Sequence, residues 1–136
     1  MSRERDINIW VRDQSPDWRL GLRMASLDLA ILLGYQLNRN WRGKLRLLSV
    51  INDPSQVAMG NTFLRRLFRD ARLPGDATIW VEHGSFMETL QSAPRADLNI
   101  FGLGKEVRSE ELIKMTRLTQ ASCLFVIDSG FESALA

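Results

Sequence analysis

The strongest candidate for ligand chemistry is a short glycine segment that follows an apolar run. Gly102 and Gly104, with Lys105 next along the chain, offer backbone N–H groups and one cation to a phosphate. A P-loop requires four residues between its first glycine and Gly-Lys-Ser/Thr, and Val107 stands where a dinucleotide fingerprint has its third glycine. We therefore interpret these two glycines first as turn residues.

A second candidate is a set of three aspartates expected to follow strands. Asp13, Asp53 and Asp128 could meet at one edge of a sheet, where carboxylates would suit Mg²⁺. Aspartate is also an ordinary helix cap and turn residue. We favour capping and turn roles, and predict no metal site.

Catalytic side chains are sparse in this chain. There is one histidine, His83, and its neighbour Glu82 would point to the opposite side of an extended strand. No Gly-x-Ser-x-Gly segment positions a serine nucleophile, and Cys123 lies in an apolar strand where it is expected to pack as a small hydrophobe. One cysteine also excludes an internal disulfide framework. The chain is predicted to be neither an enzyme nor the holder of a cofactor.

The composition describes a globular protein with an uneven charge distribution. The 136 residues are 45% apolar and 25% charged, with a net charge of +2, but residues 19–72 hold ten Lys and Arg against three Asp and Glu. Arg65, Arg69 and Arg72 form a stripe at helical spacing, which we predict to be exposed. Without exposed aromatics among them, nucleic acid is not the expected partner. We favour an anionic membrane surface or a partner protein.

Strands and helices alternate along the whole chain. Asp17 and Asp53 are expected to cap helices, Ser85 and Glu88 to form a capping box, and Ser109 to cap the last helix. Such alternation predicts a three-layer α/β fold with a five-stranded parallel sheet of flavodoxin-like order 3-2-1-4-5. The predicted strands are 7–11, 44–51, 77–81, 97–101 and 122–127, and the predicted helices are 18–37, 54–72, 85–93 and 110–121.

One domain over residues 1–136 is expected, with residues 1–5 and 129–136 flexible. The longest charge-free apolar stretch, 29–38, has 10 residues, far fewer than the roughly 20 of a membrane-spanning helix. The sequence thus predicts a soluble chain, and its single thiol fits a reducing cytoplasm.

Three segments carry a resemblance to a known family. These are Ile7-Asn8-Ile9-Trp10-Val11-Arg12-Asp13, Trp41-Arg42-Gly43-Lys44-Leu45-Arg46-Leu47 and Ala96-Asp97-Leu98-Asn99-Ile100-Phe101-Gly102-Leu103. In this order, and with a leucine-rich helix after the first, they resemble the cytosolic C-terminal region of cation–chloride cotransporters of bacterial type. Animal members have a second tryptophan and a glycine pair near Trp10, which this chain lacks.

The resemblance implies a regulatory and dimerising domain at the cytoplasmic face of the membrane. Its partners would be the transport core of the same polypeptide and a second copy. No ion-binding residue of the transport core is matched, so the resemblance does not imply that this segment moves ions. It also implies a fold like that of universal stress proteins.

That fold supplies an alternative function, nucleotide binding. Asp13 ends the first strand as in nucleotide-binding universal stress proteins, and Gly102 and Gly104 follow the fourth. However, no glycine occurs from Lys105 to Asp128, so half of that family's phosphate cradle is missing. Glutamates at 106, 110 and 111 would also repel a triphosphate. We therefore favour a domain that does not bind nucleotides.

The helix predicted over 18–37 is apolar on more than one face. Leu20, Leu27, Ile31 and Tyr35 share one side, whereas further leucines lie on its flanks or elsewhere. The excess apolar surface could be covered by flanking helices or by another chain. With the family resemblance, we favour a homodimer.

Overall fold

The computed structural model describes residues 5–12, 25–103 and 108–127. Within them, five parallel strands form one sheet in the order β3-β2-β1-β4-β5. The predicted fold class and strand order are confirmed. The strands are β1 (Arg5–Trp10), β2 (Arg42–Ile51), β3 (Thr78–His83), β4 (Leu98–Leu103) and β5 (Ser122–Ile127).

The central strand β1 fixes the register on both sides. Ile9 is aligned with Leu47 of β2 and with Ile100 of β4, and all three side chains are buried. The chain order reverses between β1 and β4, so this pair is the topological switch point of the sheet. Fully burying each of these aliphatic side chains contributes about 1.5–3 kcal/mol.

Four helices connect the strands and cover both faces of the sheet. The helices are α1 (Ala25–Trp41), α2 (Val57–Asp70), α3 (Phe86–Ser92) and α4 (Ser109–Thr119), with a 3₁₀ turn over Pro54–Gln56 before α2. The crossovers leading to β2 and β3 run one way and those leading to β4 and β5 run the other. Right-handed crossovers therefore place α1 and α2 on one face and α3 and α4 on the other.

Each face has its own hydrophobic core. On the α1/α2 face, Ile9 and Leu47 pack with Leu64 and Leu67 of α2. On the α3/α4 face, Trp10 and other strand residues pack with Leu90 and Met115. The alternation of side chains along each strand divides the apolar residues between the two cores.

The helix of the first crossover ends later than predicted, and the strand after it begins earlier. The helix α1 continues through the expected break at Asn38–Asn40 and ends at Trp41, and β2 begins at once with Arg42. The Asn38 Nδ2 group donates to the Gly43 carbonyl at 2.7 Å, and Arg42 makes the turn with φ of +57°. A side-chain hydrogen bond and one left-handed residue thus replace the loop that the sequence indicated. Arg5 already belongs to β1.

The predicted caps differ in outcome. Asp53 does cap, accepting the Ser55 N–H at 3.0 Å, and Pro54 is the first residue of the 3₁₀ turn. Ser85 occupies the N-cap position of α3, but its hydroxyl forms no capping hydrogen bond, so the predicted capping box is wrong. Ser109 is the first helical residue of α4, because the extended Arg108 precedes it as N-cap. Asp17 and residues 18–24 lie outside the described residues.

Among the residues that the structure describes, no helix is long and apolar enough to cross a membrane.

Candidate functional site

The segments that carried the family resemblance meet at the edge of the sheet where the strands begin. Asp6 of β1 accepts the Lys44 N–H through Oδ1 at 2.9 Å, and its own N–H donates to Asp97 Oδ2 at 2.7 Å. The Arg46 guanidinium lies 3.5 Å from Asp6 Oδ2. One carboxylate therefore connects β2 to β1, and a second connects β1 to the segment entering β4.

Asn8, the next residue on the same face of β1, extends this network. It donates through Nδ2 to the Pro94 carbonyl at 2.7 Å and accepts from Arg46 Nη1 at 3.1 Å. The same Nη1 atom lies 3.2 Å from the Arg95 carbonyl. Arg46 and Asn8 together hold the loop between α3 and β4 against the sheet.

Trp10 completes this face of β1. Its indole Nε1 donates to the buried Asn99 Oδ1 at 2.9 Å, and its ring stacks on Phe101 with centroids 5.8 Å apart. Phe86 meets the Trp10 ring edge-on at 5.9 Å. The tryptophan of the first segment and the asparagine of the third are thus a packed and hydrogen-bonded pair.

Gly43 is required by the close approach of β2 to the start of β1. A Cβ atom at this position would lie 1.6 Å from the Arg5 carbonyl oxygen. The Arg5 guanidinium is placed 5.1 Å from the centre of the Trp41 ring, a cation–π distance. The described residues of these segments therefore build the fold, and among them there is no nucleophile and no acid–base pair.

The opposite edge, where the strands end, is where a nucleotide would be expected. Asp13 and Gly104 lie outside the described residues, and Gly102 is buried in β4. Glu82 and His83 are the last two residues of β3 rather than residues of the loop after it, and both are exposed. The described part of this edge contains no assembled phosphate cradle.

Acidic side chains dominate that edge. Glu88 lies in the first turn of α3, and Glu110 and Glu111 lie in the first turn of α4. Asp53 is occupied by its cap, and the hydrogen bonds from the Ser55 backbone and side chain, with a smaller contribution from the His83 charge, lower the pKa of its carboxyl group. Carboxylates already stand at the helix N-termini where a phosphate would bind.

The other chemical candidates are not brought into a site. Of the three aspartates considered for Mg²⁺, only Asp53 is described, and the described residues contain no group of three potential metal ligands. Cys123 is half-buried, with its Sγ 3.2 Å from Thr119 Oγ1. This contact supplies no base to activate the thiol.

The arginines of α2 are exposed, but their arrangement differs from the predicted stripe. Arg65 and Arg69 lie opposite the buried side of α2, with Arg66 exposed beside them. Arg72 is exposed too, but α2 ends at Asp70 and Arg72 has φ of +53°, so it belongs to the turn after the helix. The predicted stripe did not include Arg66, which is exposed as well and lies 100° around the helix from Arg65.

The comparisons with known proteins place this geometry in a family. The family model described as "Prokaryotic cation-chloride cotransporter, C-terminal domain, 2nd" matches residues 2–135. No curated protein matches the chain. The chain therefore belongs to the family of prokaryotic cation–chloride cotransporter C-terminal domains, as its three segments indicated.

Solved structures agree with this assignment. The cytoplasmic domain of a prokaryotic cation chloride cotransporter is 27% identical with a TM-score of 0.80, over 96% of this chain and 49% of that one. This chain thus spans about half the length of that relative.

More distant structures share the fold alone. A universal stress protein in complex with cAMP is 18% identical, with a TM-score of 0.66 over 93% of this chain and 98% of that one. Universal stress protein UspA from Lactobacillus plantarum is 13% identical, with a TM-score of 0.61 over 91% and 99%. The expected likeness to universal stress proteins is confirmed for the fold.

Proposed function

We propose that this chain is a regulatory and pairing domain on the cytoplasmic side of a cation–chloride cotransporter, and that it does not itself move ions. The observation that carries the proposal is the family match over residues 2–135. The segments that carry the family resemblance are joined by hydrogen bonds between Arg46 and Asn8 and between Trp10 and Asn99. A domain held together in this way can transmit its position to an attached transport core.

The charge at the ends of the strands supports a domain that works without a nucleotide. Glu110 and Glu111 occupy the first turn of α4, at the switch-point side of the sheet where a triphosphate would approach. A phosphate placed there would meet like charges at close range. Regulation is then expected to act through contacts between proteins or with the membrane.

The experiment that tests the proposal is a flux measurement on the transporter that carries this chain. The transporter, reconstituted in liposomes, is compared with a version lacking residues 1–136, with chloride-dependent uptake of Rb⁺ as the readout. Removal is expected to change the uptake rate while the transport core still inserts. Liposomes holding only the 136-residue chain are expected to show no uptake.

Two outcomes would contradict the proposal. An unchanged uptake rate after removal would exclude a regulatory role, and uptake by the chain alone would exclude the claim that it moves no ions. Full-length transporter with Gly75→Ala, at a glycine whose Cβ would meet nothing within 4 Å, serves as the matched control for an unperturbed domain.

A calorimetric titration distinguishes the alternative, a nucleotide-binding domain like that of universal stress proteins. ATP, AMP and cAMP are titrated into the chain up to millimolar concentration. No saturable heat is expected, because acidic side chains line the described part of the edge. A dissociation constant in the micromolar range for any of the three would favour the alternative.

A further inference from the structure

Exposed arginines lie on the outward side of α2 and around the edge of the sheet where the strands begin. In a parallel sheet the returning helices end at the edge where the strands begin, so the last turns of α1 and α2 meet the start of β2 there. We call the exposed arginines of these elements, together with Arg72 in the turn after α2, the basic surface. It consists of Arg39, Arg42, Arg65, Arg66, Arg69 and Arg72.

These charges are not neutralised within the described part of the chain. No ion pair joins any of the six to a described acidic residue, and Asp6, the acid at this edge with an ion pair, is engaged by Arg46. Asp70 at the end of α2 and Asp76 in the following turn are the acids nearest in sequence to Arg69 and Arg72. The basic side chains outnumber them.

The opposite edge has the opposite sign. Described acidic residues there include Asp53, Glu82, Glu88, Glu110 and Glu111, whereas the basic residues are Arg12 and Arg108. The charges of the described residues are therefore polarised along the strands. Near a negatively charged surface, this polarity orients the domain with the basic surface inward.

We propose that the basic surface binds the phosphate head groups of anionic lipids. Guanidinium groups pair with phosphate oxygens through two parallel hydrogen bonds, so a broad array of arginines suits a layer of phosphates. This inference rests on the proposed function, which holds the domain close to a membrane.

The composition of the surface favours lipid over a protein or nucleic-acid partner. Protein interfaces concentrate binding energy in aromatic and arginine anchors within pockets, and single-stranded nucleic acids stack on exposed aromatics. Among the described residues, the exposed large hydrophobics are Met59, Ile113 and Leu124, none of them aromatic. The basic surface therefore offers many charges, and no aromatic side chain among the described residues is exposed to serve as an anchor.

The test is co-sedimentation of the 136-residue chain with vesicles. Phosphatidylcholine vesicles are compared with vesicles of equal parts phosphatidylcholine and phosphatidylglycerol, at low and high salt. Binding is expected only to the anionic vesicles and is expected to weaken at high salt. The double variant Arg65→Gln/Arg69→Gln is expected to lower the partition coefficient roughly tenfold or more at low salt.

The matched control is Arg108→Gln/Lys114→Gln, which removes the same charge from the α4 side of the sheet. Circular dichroism verifies that both variants fold. Equal losses in the two variants, or equal binding to both kinds of vesicle, would overturn the proposal. The proposal would also be overturned if the chain did not bind vesicles but bound polyglutamate in a way that depends on Arg65 and Arg69. That result would indicate an acidic protein partner. Each of these outcomes leaves the flux result of the proposed function standing.

Discussion

At the scale of single residues, the family segments are explained by hydrogen bonding and close packing. Asp6 is shared between the Lys44 N–H and the Arg46 guanidinium, and Trp10 satisfies the buried Asn99. Removing one partner of the buried Trp10–Asn99 hydrogen bond costs about 1–3 kcal/mol. These residue types are therefore explained by the hydrogen bonds that hold β1 between β2 and β4.

Gly43 is the position at which the smallest substitution should have a large effect. Gly43→Ala places a methyl group 1.6 Å from the Arg5 carbonyl oxygen, and this atom belongs to the paired backbone and cannot rotate away. The free energy of unfolding is expected to fall by about 2–3 kcal/mol. Urea denaturation followed by circular dichroism measures the change.

The same substitution at Gly75 is the control for Gly43. Its Cβ would have nothing within 4 Å, so Gly75→Ala is expected to leave stability unchanged or raise it by about 0.4–1 kcal/mol. If the two alanine variants unfolded at the same urea concentration, the close approach of the Arg5 carbonyl oxygen would not explain why glycine occupies position 43.

Asp53 should make stability depend on pH in the acid range. Its pKa is lowered in the folded chain below the ordinary 3.8, so the stabilisation it provides is present above that value and is lost as the pH falls through the folded pKa. Asp53→Asn keeps a capping oxygen without the charge. The wild-type advantage over this variant is expected at neutral pH and should shrink in acid; a gap that widens on acidification would contradict the role of the charge.

At the scale of elements, the ends of helices were the hardest features to predict. The helices α2 and α4 are followed by Arg72 and Gln120, both in the left-handed region at φ of +53° and +50°. Glycine usually marks such positions, and neither residue carries that signal. The helix predicted to reach Arg72 therefore ends earlier, at Asp70.

Replacing Gln120 by glycine should stabilise the chain. The left-handed conformation costs a residue with a Cβ atom roughly 1–2 kcal/mol, and glycine avoids most of this cost. Gln120→Gly is expected to raise the free energy of unfolding by about 1 kcal/mol, measured by thermal and urea denaturation.

The control is Gln36→Gly, the same exchange at an exposed position inside α1, which is expected to lower stability by about 0.5–1 kcal/mol. Changes of the same sign in the two variants would show that the left-handed turn after α4 does not determine the effect at Gln120.

The sheet itself was predictable because the same sequence pattern, an apolar strand followed by an amphipathic helix, is repeated along the chain. Apolar strands such as 122–127 alternate with amphipathic segments, and one rule of crossover handedness then fixes the faces. The polar network was not predictable from spacing alone, because Asp6, Arg46 and Asp97 come from segments far apart in the sequence. Arg46 and Asp97 stood out only as parts of a family resemblance, and Asp6 lies just before the first segment of that resemblance.

At the scale of the whole molecule, the separation of charge along the sequence reappears as a separation of charge in the fold. The basic middle of the sequence becomes the basic surface over the ends of α1 and α2, and the acidic second half supplies the first turns of α3 and α4. Within the part of the chain that the structure describes, opposite edges of the sheet thus carry net charges of opposite sign. A separation of charge of this kind orients the domain near a negatively charged surface. A single ion pair does not have this effect.

Self-association remains a prediction at this scale. The described part of α1 begins at Ala25; Ile31 is buried, whereas Leu33 and Tyr35 are only partly covered and pack against the core. The side chains of the leucines predicted to continue the apolar surface are not described; these leucines are at positions 20, 22, 27, 29 and 32. The prediction of two-fold pairing therefore rests on their sequence pattern.

Sedimentation equilibrium from low to high micromolar concentration is expected to show the mass rising from 15.5 kDa toward twice that value. The arginine pair Arg65→Gln/Arg69→Gln should leave this rise unchanged, because its charges lie on the outward side of α2. A constant monomer mass over the whole range would contradict an intrinsic dimer.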